Sequence, residues 1–184
     1  MVHQTVLFWR RIRTTALVTF TAVLAASTVA ATDGETLRIP RIDTRISVDG
    51  VLDEGVWDRA WTMTLDYEVR PGENTEPLAA TEVLVYHDES RLFIGFRASD
   101  PDPTAIRAHL PDLESFGPDD AVGVVLDTFN DERRSFEFYV NPLGIQADSI
   151  ESAGGGGGPE WDAIWDSAGR INGEGYVVEI AIPF

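Results

Sequence analysis

The sequence predicts an all-β protein folded as an antiparallel two-sheet β-sandwich, and three observations support this prediction. Apolar residues recur at every second position in several short segments, which is the period of a half-buried strand. Turn-forming residues separate these segments at short intervals, and long segments of helical period are almost absent. Two packed sheets are therefore the expected architecture. The alternation is clearest in segments 92–97, 136–141 and 176–182.

The first 31 residues have the features of a secretory signal peptide. Three arginines precede an apolar run from Ala16 to Ala26, and small residues follow it as far as Ala31. The run is shorter than the roughly 20 residues of a membrane helix, which favours a cleaved leader over a retained anchor. We therefore predict an exported protein, in the periplasm, the outer membrane or outside the cell, whose single mature domain comprises residues 32–184.

The charge balance excludes one class of partner. The chain has 31 acidic and 14 basic residues, and the leader holds three of the arginines and none of the acids, so the mature domain carries a formal charge of −20. Repulsion from phosphates then makes nucleic acid an unsuitable partner. The chain has no cysteine, so disulfides and thiolate sites are excluded. Most of the carboxylates are expected to form a solvated exterior.

The mature domain opens with a turn followed by two tryptophans. The dipeptide of Asp49 and Gly50 is typical of a tight turn, and Asp53 is placed to cap a short helix. Trp57 and Trp61 are four residues apart, so they would share one face of that helix. We expect this face to close one end of the sandwich.

Further motifs follow in order along the chain, but none of them predicts catalysis. They are a hairpin at 81–101, an acidic segment at 119–127, the stretch 138–142 and a final strand at 175–184. Asp119 and Asp120 are adjacent, so on a strand their carboxylates would point to opposite faces. No order of serine, histidine and aspartate suggests a triad, and nothing selects a carboxylate pair for sugar hydrolysis.

In this order and spacing, the motifs resemble family 9 carbohydrate-binding modules, from about Ile39 to the last residue. The similarity is greatest to the version found at the amino terminus of bacterial envelope proteins with a predicted carboxyl-terminal outer-membrane barrel. The resemblance implies a sandwich of the carbohydrate-binding-module and DOMON-like type. Modules of the family continue with further strands, so we expect residues 32–184 to be the amino-terminal part of a longer protein and to lack the last strands.

The resemblance also implies a function and an alternative to it. The implied function is a non-catalytic domain of an exported envelope protein that binds a polysaccharide or oligosaccharide, with a link to polysaccharide catabolism. The alternative is a structural or interaction sandwich, attached to an outer-membrane barrel in the same full-length chain, that has no affinity for sugar. Any hydrolase activity would belong to another domain of the longer protein.

The family's sugar site can be carried over to four positions. In the family, the ligand lies between two aromatic rings, with a carboxylate, an arginine and amides around it. Phe116 stands at the position of the first ring, Gly123 at that of the carboxylate, and Tyr139 at that of the arginine. Asn141 matches the family directly. Strand alternation places Tyr139 and Asn141 on the outer side of the sheet. This side is either a polar binding face or a solvated surface that binds no ligand. Phe116, Tyr139 and Asn141 are therefore candidate carbohydrate-binding residues.

Two tryptophans after a glycine-rich loop are further candidates. Five glycines occupy 154–158, and Trp161 and Trp165 follow among acidic residues. The two rings form either a platform for a sugar or a plug in the core beneath the loop, and the sequence favours neither.

A structural calcium ion is implied by the resemblance. Calcium takes six to eight oxygen ligands, and an acidic chain offers many carboxylates. Asp49, Asp100 and Asp120 are the predicted ligands, and no other cofactor is predicted.

Overall fold

A computed structural model describes residues 38–65, 67, 75–77, 79–110, 119–130, 133–155, 158 and 161–184, together with the backbone of residues 5–6. The rest of the predicted leader lies outside these residues. The strands are β1 (Thr5–Val6), β2 (Trp61–Thr64), β3 (Thr81–His87), β4 (Arg91–Ser99), β5 (Ala121–Leu126), β6 (Arg134–Val140), β7 (Gln146–Ser152), β8 (Asp166–Asn172) and β9 (Gly175–Pro183). Short 3-10 helices span Trp57–Arg59 and Pro103–Ala105. Among the described residues, no helix has the length and apolar character needed to cross a membrane.

The strands form two sheets. Sheet A has the order β1–β5–β6–β7, and sheet B has the order β2–β3–β4–β9–β8. All neighbours pair antiparallel except β1, which runs parallel to β5. The predicted antiparallel two-sheet sandwich is therefore confirmed.

The main core lies between the two sheets. Alternate residues of the central strands are fully buried there, as the two-residue period predicts. Each such side chain contributes about 1.5–3 kcal/mol by leaving water. The buried residues are Val122, Phe138 and Val140 from sheet A, and Val83, Ile94, Phe96, Val178 and Ile180 from sheet B.

A second core covers the other side of sheet B. Residues 42–60, which we call the strap, cross this side and bury Trp57 against Tyr86, with ring centroids 5.2 Å apart. Tyr86 stacks in turn on Phe93 at 4.7 Å. Strands β4 and β9 are therefore buried on both faces. The prediction that the strands at 92–97 and 176–182 are only half-buried is therefore wrong. The strap covers the face of these strands that was expected to meet solvent.

Glu179 fastens the strap to the middle of sheet B. Its side chain is 0% exposed, and its Oε2 accepts hydrogen bonds from the backbone N–H groups of Asp49 (2.8 Å) and Gly50 (2.9 Å). Gly50 has φ +82°, and a Cβ at this position would lie 3.0 Å from the backbone of Gly169. Glycine is thus required both for the backbone conformation and for the close approach. The predicted turn at this dipeptide is present.

The predicted helix is reduced to a single 3-10 turn. The residue before this turn is Val56, with no side-chain capping bond, so the predicted capping role of Asp53 is wrong. Trp61 lies in β2, opposite Val85, and not on a helical face with Trp57. The chain leaves the helix because pairing with β3 satisfies the backbone of residues 61–64.

Candidate functional site

The outer face of sheet A carries an aromatic ring among polar groups. The side chains on this face alternate with the core residues of β5, β6 and β7, so they point away from sheet B. We call this surface the Tyr139 face and define it by Gly123, Glu137, Tyr139, Ser149 and Glu151. Gly123 lies opposite Tyr139, and Glu137 lies opposite Ser149. Four of these side chains are partly or fully accessible to solvent, and the fifth residue is glycine.

The ring of Tyr139 occupies the space above Gly123. Any Cβ at position 123 would overlap two ring carbons of Tyr139. The two positions where this chain departs from the family's carboxylate and arginine are therefore cross-strand partners. An aromatic ring that covers a glycine across a strand pair stabilises the sheet and gives the face a rigid apolar surface.

Polar groups lie to one side of this ring, toward the start of β6. The hydroxyl of Ser149 donates a hydrogen bond of 2.8 Å to Oε2 of Glu137. Burial raises the pKa of Tyr139 to about 12, and the carboxylates of Glu137 and Glu151 add to this shift. The phenol is therefore neutral at ordinary pH, and its hydroxyl can both donate and accept a hydrogen bond. The face thus combines an apolar surface with several groups that can bind hydroxyls.

Buried polar residues close the end of the Tyr139 face where β5 begins and β6 ends. Asn141 is 0% exposed, and its Nδ2 donates to the carbonyl of His109 (2.9 Å) and to Oδ2 of Asp119 (3.1 Å). Its Oδ1 accepts from the backbone of Leu143 and Ile145. The outward position predicted for Asn141 is wrong, because the tight turn after β6 uses its side chain as an internal partner. A sugar could reach this amide only if the turn opened.

Asp119 holds the chain segment at His109. Its side chain is 0% exposed, and it accepts from the His109 backbone N–H (2.7 Å) and stands 2.5 Å from the His109 Nδ1. Burial acts to raise the pKa of Asp119, but the hydrogen bonds from His109 and Asn141 outweigh it and the pKa is lowered. The carboxylate is therefore ionised. This contact could not be predicted from the sequence, because it depends on how residues 107–110 return to sheet A.

The two candidate tryptophans pack on the inner side of sheet A. Trp165 is 6% exposed, its ring lies 5.2 Å from Phe138, and its Nε1 donates a 2.7 Å hydrogen bond to Asp148. Trp161 lies 5.1 Å from the ring of Phe136 and is partly buried. These are the contacts of core residues. The structure does not bring either ring to the Tyr139 face, since Phe138 and Tyr139 point to opposite sides of β6.

A groove at the start of β8 reaches the edge of Trp165. It consists of two adjoining cavities of about 400 and 410 Å³, which share Ile46, Val48 and Arg91. Arg91 forms a 2.5 Å ion pair with Asp166 along this groove. Residues of the strap, of sheet B and of the core side of sheet A line the groove, and none of the residues that define the Tyr139 face does.

Phe116 and the predicted calcium ligands complete the set of candidates. Phe116 lies outside the described residues, so its contact with sugar stays a prediction.

Asp49, Asp100 and Asp120 each accept a backbone N–H group, from Val51, Asp102 and Arg107 respectively. In the part of the chain that the structure describes, no group of three histidine or acidic side chains could hold a metal ion. These three aspartates therefore do not fit a shared calcium site, and calcium binding stays a prediction.

The fold and the outer face together define the class of the protein, a β-sandwich module with an open sheet surface. Residues 48–184 match the family model described as carbohydrate family 9 binding domain-like. The chain therefore belongs to this family, and the resemblance read from its motifs is confirmed at that level.

A solved structure supports the same fold. It is a carbohydrate binding module family 9 from Caldicellulosiruptor kristjanssonii in complex with cellotriose, with a TM-score of 0.54 and 13% sequence identity. The similarity covers 80% of this chain and 68% of that chain. At this identity the likeness concerns the fold alone. No curated protein matches the chain.

Proposed function

We propose that this domain is a non-catalytic module that binds a neutral polysaccharide or oligosaccharide on the Tyr139 face. The observation that carries the proposal is the ring of Tyr139 fixed over Gly123 on an open sheet surface. Family membership supports a binding module, and the solved relative was captured with cellotriose.

The chemistry of the face fits a sugar ring. The C–H groups of a sugar face are apolar and pack on the negative face of an aromatic ring. The side chains of Glu137, Ser149 and Glu151 lie on one side of this ring, toward the start of β6, and can bind hydroxyls. Two carboxylates beside the ring, in a chain of net charge −17, repel anionic polymers. The proposed ligand is therefore a neutral glycan.

The proposal also includes the location of the protein and its biological role. The leader supports export to the periplasm, the outer membrane or the exterior, and the resemblance supports an envelope protein linked to polysaccharide catabolism. The alternative is a structural or interaction domain beside a membrane barrel. The replacement of the family's carboxylate and arginine by Gly123 and Tyr139 favours this alternative, because both groups contact sugar in the family.

Replacing Tyr139 with alanine is expected to weaken glycan binding by about 1–2 kcal/mol, or roughly five- to thirtyfold, because the stacking surface is lost. Tyr139→Phe keeps the ring and should retain most of the affinity. Affinity electrophoresis against neutral glucans, xylan, mannan and anionic alginate, followed by calorimetry with cellotriose, measures this effect. Tyr67→Ala is the matched control, since Tyr67 is 67% exposed and lies outside the face.

Melting curves separate loss of binding from loss of folding, because the cross-strand contact of Tyr139 is worth only about 0.2–1 kcal/mol. Equal affinities for wild type and Tyr139→Ala would place the ligand elsewhere. A folded wild type that binds no glycan of the panel would leave the structural alternative standing.

A further inference from the structure

His109 presents an exposed imidazole that buried groups hold in place. Its ring is 70% exposed, whereas the carboxylate of Asp119 beside it is 0% exposed. Its backbone N–H donates to Asp119, its carbonyl accepts from Asn141, and its Nδ1 contacts Asp119. A surface histidine held at three points by two buried side chains has far less rotational freedom than an ordinary exposed side chain.

The hydrogen bond also fixes which ring nitrogen is free. An ionised carboxylate can only accept, so Nδ1 of His109 must carry the hydrogen that bonds to Asp119. The Nε2 atom is then the nitrogen left for other contacts, since no hydrogen bond within the described residues involves it. A neutral imidazole accepts at this atom, and a protonated one donates. A hydroxyl group suits both states, because it is at once a donor and an acceptor.

The position of His109 in the chain relative to Tyr139 suggests a role for this nitrogen in binding a ligand. Asn141, which binds the His109 carbonyl, directly follows the last residue of β6 and stands two positions after Tyr139 in the chain. The backbone of His109 is therefore held at the end of the strand that carries Tyr139. A chain of sugar residues stacked on Tyr139 would extend toward it in one of its two directions.

We propose that His109 is a ligand-contacting residue, whose Nε2 hydrogen bonds to a hydroxyl of the bound neutral glycan, and that Asp119 is the positioning residue that orients it. This inference rests on the proposed function and adds a second contact to the stacking surface. The inference assigns a binding role to residues 107–110. None of the four positions at which the sequence resemblance places the family's sugar site lies in this segment.

The main competing explanation is structural, since Asp119 and Asn141 also tie the backbone of 107–110 to sheet A. His109→Ala separates the two explanations, because both backbone hydrogen bonds remain in this variant. We expect His109→Ala to weaken binding of the neutral panel glycans roughly three- to tenfold, the size of one hydrogen bond. Its melting temperature should fall only moderately, because Oδ1 of Asp119 loses the imidazole while both hydrogen bonds to Oδ2 remain. His87→Ala is the matched control, since His87 lies on sheet B and faces Phe184.

An NMR measurement tests the orientation without any sugar. Long-range ¹H–¹⁵N spectra of the free wild type should show the hydrogen of the neutral His109 ring on Nδ1, and Asp119→Asn should shift the ring toward a mixture of tautomers. A ring that carries its hydrogen on Nε2 would overturn the proposal. So would a loss of affinity in His109→Ala that merely follows a large drop in melting temperature.

The binding results distinguish this inference from the proposed function. If Tyr139→Ala loses affinity and His109→Ala does not, the role of His109 is refuted and the Tyr139 face remains the site. If the folded wild type binds no glycan of the panel, both proposals fall together. Weaker binding by His109→Ala that is still fully folded under the assay conditions, with His87→Ala unaffected, supports the inference.

Discussion

Replacing Trp165 with alanine is expected to lower the free energy of unfolding by about 3–5 kcal/mol. The ring is 6% exposed, packs edge-on against Phe138 and donates a hydrogen bond to Asp148. The substitution leaves a cavity between the sheets and removes a donor from the partly buried carboxylate of Asp148. Urea unfolding of wild type and variant, followed by circular dichroism, measures the loss.

The adjacent residue provides the control. Ile164 is 93% exposed, so Ile164→Ala should change stability by less than about 0.5 kcal/mol. This pair also decides between the two interpretations of the tryptophans that the sequence left open. Near-normal stability of Trp165→Ala together with lost glycan binding would make Trp165 part of a binding platform, reached through the groove at β8.

Replacing Glu179 with alanine is expected to lower the free energy of unfolding by about 2–5 kcal/mol. Two backbone N–H groups of the strap, the buried one of Gly50 and the partly buried one of Asp49, would lose their acceptor, and each such loss costs about 1–3 kcal/mol. The strap would then detach more readily from sheet B and expose the second core. Faster proteolysis within residues 42–60, observed by mass spectrometry, would accompany the lower stability.

Glu179→Gln tests the charge of this group and not its contacts. Burial raises the pKa of Glu179, although the hydrogen bonds from Asp49 and Gly50 oppose the shift. A raised pKa means that the folded protein holds the proton more tightly than the unfolded chain does. The resulting stabilisation is complete below the unfolded carboxyl pKa of about 4.3 and is lost as the pH rises through the folded pKa.

Stability measured between pH 4 and pH 8 should therefore fall more steeply with rising pH in wild type than in Glu179→Gln, which keeps an acceptor oxygen but no titrating carboxyl. Glu151→Gln, at an exposed position of β7, should follow the wild-type profile. Parallel profiles for wild type and Glu179→Gln would show that the buried carboxyl does not titrate in this range.

The strands could be predicted because their signal is local. Alternation and turn residues are properties of neighbouring positions, and they located most of β4, β6 and β9. The strap could not be predicted in this way, because its contacts join residues that are far apart in the chain, such as Trp57 with Tyr86 and Asp49 with Glu179. Glu179 looked like a solvent-facing position of an alternating strand, yet it is buried as the acceptor for a distant turn. The spacing of Trp57 and Trp61 was ambiguous, since residues four apart share a side in a strand as well as in a helix.

The site was predicted in part. Tyr139 was a candidate and lies on an outer sheet surface, but its pairing with Gly123 was missed. Both residues lie eight positions from Asp131, so a hairpin centred on that residue would place them opposite each other. The roles of Asp119 and Asn141 as internal partners of His109 depend on a segment folding back over sheet A. No periodicity in the sequence encodes such a contact.

The strap gives the molecule two unlike sides, one closed by residues 42–60 and one formed by the outer surface of sheet A. The chain contains no cysteine, so a single thiol introduced as Asp58→Cys, at an exposed position of the strap, would be its sole coupling point. Molecules attached to a sensor chip through that thiol would all carry Tyr139 on the side turned toward the solution. Uniform orientation of this kind makes weak sugar binding measurable by surface methods, which random coupling would obscure.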